Sequence, residues 1–222
     1  MDAVAGVENP VHLEVTGSSC VPPVDYVVVA EESGAVSGRA LAAAATVLER
    51  HACVGIVFVC AEETPGGVQR GHRWLRNAAA HGPDAVGGRG AVVRRSTFNE
   101  AGPHRPGTRN GALSLWLRAA ALGDVAHVAE PLPTASVVGL SRSPAPRVGE
   151  ITELHERAHA FLELFGGFAP LRGHARLRSA AYRALARSAR RRALVAAYEG
   201  DRVEASLCLH LAHDVTSWRR ER

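Results

Sequence analysis

The string with the most direct chemical content is His155-Glu156-Arg157-Ala158-His159. Two histidines one helical turn apart present both imidazoles on one face, where they can grip a zinc ion, and the intervening glutamate is placed to deprotonate a bound water. Such a centre needs a third protein ligand. No Gly-x-x-His continuation follows, and Glu163, two turns beyond His155, is the acid that offers itself. Arg157 sets a cation inside the motif, where it repels a metal, so a chance match in a helix rich in alanine, arginine and histidine is the plainer account. A second feature is the run Arg176, Arg178, Arg183, Arg187, Arg190, Arg191 and Arg192. It suits phosphates or an anionic membrane surface; more simply, it is a solvated face whose aliphatic stems cover apolar neighbours. Gly87-Gly88-Arg89-Gly90 would cradle a phosphate only at a helix start, and a strand pattern follows instead. The remaining histidines have no spacing that singles one out. Cys53 and Cys60 read as small core residues.

The elements that position these groups are legible in outline. Asp25 to Ala30 and Val54 to Cys60 are β-branched runs of the kind buried on both sheet faces, and the alanine-rich Gly38 to His51 between them reads as a helix. Together they predict a βαβ unit. A short helix is expected around Trp74 to Ala80, a strand at Gly90 to Arg94, and a helical turn capped by Ser96 and ended by Gly102. A helix at Leu113 to Leu122 presents Leu113, Trp116 and Leu117, and short strands follow at Val125 to Val128 and Ser136 to Val138. From Glu150 the pattern is helical. Ile151, Leu154, Ala158, Phe161 and Phe165 form one stripe, and Leu177, Ala181, Leu185, Ala189 and Ala193 another. Val203 to Trp218 fits both strand and helix periods, and helix is preferred, with Val203, Leu207, Leu211, Val215 and Trp218 on one face. The expected organisation is an irregular leading segment (1–24), an α/β core (25–148) and a C-terminal helical extension (149–222).

Composition bounds the function classes. With 222 residues, 46% hydrophobic and 22% charged, the chain can bury a core unaided and is neither disordered nor fibrous. No apolar run reaches the length of a membrane helix, and no secretory signal is visible. Four scattered cysteines read as reduced thiols, which points to the cytoplasm. All 26 basic residues are arginine. The lysine-free, Ala-, Gly- and Val-rich composition reads as the codon bias of a GC-rich bacterial genome, so the excess of arginine does not argue for a nucleic-acid partner.

Three strings in order resemble the second half of a family 2 glycosyltransferase. They are DYVVVAEESGAVSGRALAAAATVLERHACVGIVFVC (25–60), GRGAVVRRSTFNEAG (88–102) and GALSLWLRAAALGDVAHVAEP (111–131). In that family a strand ends in an Asp-x-Asp turn, a double-arginine turn follows a later strand, and a Gly-Asp-x-x-x-Trp-Leu-Arg helix carries the base. The resemblance covers roughly residues 9 to 200. It implies an α/β fold of the GT-A, Rossmann-like type, a mixed sheet flanked by helices, with the arginine-rich helix in a C-terminal helical extension. It also implies a nucleotide-sugar donor and a divalent cation, Mn or Mg, held against the leaving diphosphate. A carboxylate then takes the proton of the acceptor hydroxyl.

The sequence departs from that pattern where the chemistry sits. The Asp-x-Asp turn corresponds to Glu31-Glu32-Ser33, which keeps one candidate metal ligand, Glu31. The base position is Ala112, and the family's Arg-x-His corresponds to Ser136 and Val138. The family's N-terminal, base-binding half has no counterpart before residue 9. Glu32 is the candidate replacement for metal binding and Glu100 for base work, while Ser33, Arg94, Arg95 and Ala112 are cleft positions by resemblance. The expectation is a degenerate or repurposed domain, either a partner subunit, as a homodimer or in complex with an active enzyme, or a protein of small-molecule biosynthesis that takes a small-molecule ligand. The alternatives are an active nucleotide-sugar transferase and a zinc hydrolase through His155 and His159.

Overall fold

The protein is described from a computed structural model over residues 13–15, 26–30, 36–61, 67–82, 90–102, 111–130, 148–171 and 173–218. The chain divides into two compact units, residues 1–68 with 87–130, and residues 69–86 with 131–222.

The first unit is a mixed sheet flanked by helices. Its strands are β1 (Leu13–Val15), β2 (Tyr26–Ala30), β3 (Val54–Ala61), β4 (Gly67–Gln69), β5 (Gly90–Arg94) and β6 (Asp124–Glu130), in the spatial order β1-β2-β5-β3-β6-β4. The two apolar runs expected to form a βαβ pair do lie parallel, but not side by side. β5 runs antiparallel between them, and Val92 pairs with Val28 of β2 on one side and Val57 of β3 on the other. β6 is parallel to β3 on its other edge. Runs of buried valine specify that a strand is central without specifying its neighbour, so the strand expected at Gly90 to Arg94 was readable but its place between the other two was not. The leading segment also contributes β1, antiparallel to β2; three residues are too few to show a period.

Helix α1 (Gly38–Arg50) starts at Ser37, whose Oγ accepts from the Ala40 amide. Its buried residues Ala44 and Leu48 pack with Tyr26, Val54, Val57, Val92 and Ala126 on one face of the sheet. The neighbouring Phe58 stands edge-on to Trp116 of α4 (Gly111–Leu122), with ring centres 5.3 Å apart. Successive residues of β3 therefore serve different helices, as the alternation of a strand requires. That double duty explains why Val54 to Cys60 are all buried. The turn from α4 into β6 lies hard against the start of β3. A methyl group on Gly123 would sit 2.9 Å from the Cys53 carbonyl oxygen and 3.1 Å from the Gly55 nitrogen, so only glycine fits. Cys53 itself is exposed rather than part of the core. Helix α3 (Arg95–Ala101) follows β5 without a loop. Arg94 occupies the cap position expected for Ser96, and Gly102 ends the helix at φ 81°.

The second unit is helical and consists of α2 (Gly71–His81), α5 (Val148–Gly167), a 3-10 turn (Ala169–Leu171), α6 (Ala175–Tyr198) and α7 (Arg202–Trp218). A contiguous reading gives residues 71–81 to the α/β core; contacts give them to this unit. The cause is packing: Trp74, Leu75, Ala78 and Ala79 of α2 are fully buried, and Ser188 of α6 donates a 2.7 Å hydrogen bond to the Ala80 carbonyl. Each large apolar side chain buried this way contributes on the order of 1.5–3 kcal/mol. The expected α6 stripe is buried throughout. In α7 the helix forms, but the stripe is rotated. Val203 and Leu207 are exposed, while Glu204, Ala205, Cys208, Leu211, Ala212 and Val215 are buried. Small residues on this face and on the facing alanines of α6 allow a close approach that larger side chains would block.

Candidate functional site

The cleft positions that the resemblance implies fall partly within the described residues. Glu31, Glu32 and Ser33 lie outside them, as do Ser136, Val138 and Gly87 to Arg89. Arg94, Arg95, Glu100 and Ala112 are all in the first unit: Arg94 and Arg95 at the β5–α3 junction, Glu100 on the last turn of α3 and Ala112 at the start of α4.

Arg94 is the best-defined of them. Its Nη2 donates to the carbonyls of Leu48 at 2.6 Å and His51 at 3.3 Å, and its Nε donates to the carbonyl of Val54 at 3.2 Å. The guanidinium therefore closes the C-terminal end of α1, where unpaired carbonyls and the helix dipole favour a cation. Beside it, the Tyr26 hydroxyl donates to Glu49 Oε1 at 3.2 Å. Burial, and then the Glu49 carboxylate, push the Tyr26 pKa above its ordinary value, with Arg94 pulling the other way. Arg95 is half-buried and Glu100 is exposed on the last turn of α3.

Ala112 is the second residue of α4 and is half-buried. One turn later Trp116 is 4% exposed, and its indole Nε1 has no hydrogen-bond partner among the described residues. Leu117 is fully buried, and Arg118 donates from Nε to the Ser114 carbonyl at 3.1 Å. Trp116 and Leu117 thus seat the helix against the sheet, while the Arg118 bond stays within α4. The position that would hold a base carries a methyl group, which neither accepts a proton nor binds a cation.

The His-Glu-x-x-His string lies on α5 as expected. His155 and Glu156 are half-buried, His159 and Glu163 are exposed, and Arg157 is buried. Arg157 and Glu153 approach Gly82, the C-cap of α2 at φ 90°, so closely that a methyl there would lie 2.6 Å from Arg157 Nη1. The motif's central cation thus serves α2–α5 packing. Burial, and then the neighbouring His159, lower the pKa of His155, against an opposing pull from Asp214 of α7. His159 stands 5.9 Å, ring to ring, from Trp218. Among the described residues no three His, Cys, Asp or Glu side chains are grouped to hold a metal ion. Asp214 is the acid nearest in effect to His155, and its separation along the chain left no signal in the spacing.

No protein-family model matches the chain, and it matches none of the curated proteins or solved structures compared with it.

Proposed function

We propose that the first unit is a family 2 glycosyltransferase-like domain of GT-A type that has lost its transferase chemistry and works as a non-catalytic partner, either as a homodimer or beside an active enzyme. The observation that carries this reading is the start of α4. A glycine-opened helix buries Trp116 and Leu117 as the family's base-bearing helix would, yet presents Ala112 where the carboxylate belongs. A mixed sheet flanked by helices is the architecture such a domain requires. Removing a positioned base alone lowers a rate by about 10²–10⁴. The loss of Arg-x-His at Ser136 and Val138 and of the second turn acid at Ser33 compounds the defect.

The test is release of nucleoside diphosphate from uridine and guanosine diphosphate sugars with manganese present. The expected result is no release above a protein-free control, and no tight manganese site by calorimetry. Turnover of any of these donors, or one tight manganese site per chain, would return the chain to the active transferases.

A further inference from the structure

Helices α2 and α6 wall a cleft of about 590 Å³ in the second unit, a volume typical of small-ligand sites. His72 and Arg76 reach it from adjacent turns of α2, and His174 and Arg176 from the start of α6. Leu177 and Ala180 also line it. The two histidine rings meet edge to face, with centres 5.1 Å apart. No Asp or Glu is among the described residues that line the cleft. A concave surface that carries two guanidiniums, with two imidazoles beside them as further hydrogen-bonding groups, holds a positive potential that an oxyanion would relieve. Arginine adds shape to charge, because its fork matches the paired oxygens of a phosphate. The walls are fixed from beneath: Trp74 and Leu75 of α2 and Leu177 of α6 are buried, and the Ser188–Ala80 hydrogen bond ties the two helices together.

We propose that this cleft binds a small phosphate-bearing molecule, a phosphate ester or diphosphate, clamped between Arg76 and Arg176 with His72 and His174 beside it. Its finite volume and four basic groups fit a small dianion rather than a polymer laid along α6. The inference does not depend on the reading of the first unit.

The probe is inorganic pyrophosphate, titrated calorimetrically into the full chain at neutral pH. One site per chain is expected, weakened about tenfold by Arg76→Gln and likewise by Arg176→Gln, as the loss of a charge-assisted contact implies. Arg187→Gln, on the same helix but outside this cleft, is expected to leave affinity unchanged. All three side chains are exposed, so circular dichroism should show the fold intact in each variant. Absence of binding to the unsubstituted chain overturns the proposal. So does an Arg187→Gln loss equal to that of Arg76→Gln, which would mean diffuse attraction to a basic surface.

Discussion

Arginine does different work at different positions in this chain, and the environment of each guanidinium decides which. Arg94 illustrates the structural use. Its contacts with the Leu48 and His51 carbonyls close the C-terminal end of α1, and its contact with the Val54 carbonyl ties that end to the start of β3. Hydrogen bonds from a charged donor are worth about 1.5–3 kcal/mol. Arg94→Ala is therefore expected to lower unfolding free energy by about 2 kcal/mol, measured by urea denaturation. Arg94→Lys should recover only part of that loss, because a point charge cannot span three carbonyls. An unchanged urea midpoint in Arg94→Ala would mean that the end of α1 is closed by water and that this guanidinium is free for another role.

At the scale of elements, the α6–α7 hairpin shows how a polar pair settles the rotation of a helix. Glu204 is 5% exposed, and it accepts from Arg192 Nε at 2.6 Å and from Nη2 at 3.2 Å, a two-pronged contact between the helices. The Glu204 amide donates to Asp201 Oδ1, which caps α7. Turning Glu204 inward leaves Val203 and Leu207 facing solvent. Removing one partner of a buried pair costs about 3–5 kcal/mol because the other charge is left behind. Arg192 keeps some solvent access, so Glu204→Ala is expected at the lower end, about 3 kcal/mol by chemical denaturation. The double variant Arg192→Met, Glu204→Met should recover most of that loss. A double variant as unstable as the single one would assign the cost to packing rather than to charge.

Across the whole molecule, the two units carry titrating groups that weaken the fold at opposite ends of the pH scale. His155 has a pKa lowered from 6.5 by burial and His159, so the unfolded chain binds its proton more readily. The stability that neutral His155 contributes is complete above 6.5 and is lost as pH falls through its depressed native value. Tyr26 and Cys208 are raised from 10.0 and 9.0, both chiefly by burial, and the native state holds those protons longer. Their contribution is present below their ordinary values and is lost as pH rises through the raised ones. The melting temperature is thus expected to be highest in the neutral range and to fall on both sides. His155→Gln should flatten the acid limb and leave the alkaline limb in place; an unaltered acid limb would assign that slope to other groups. No helix among the described residues is long and apolar enough to cross a membrane.

The sequence by itself determined where most elements lie. Buried valine runs, alanine-rich stripes and a closing glycine such as Gly102 are local signals, because strand and helix periods are properties of neighbouring residues. It also made the start of α4 legible, with Ala112 ahead of a buried Trp116. Only the tertiary structure decided that β5 divides β2 from β3, that α2 joins the C-terminal helices, and that α7 turns Glu204 inward. It also set Arg94 on the end of α1, Asp214 within electrostatic reach of His155, and His72 near His174. A period states which side of an element is apolar and says nothing about what will cover it. Partners arrive from tens of residues away, and the free energy that selects them exists only once the chain has closed those distances.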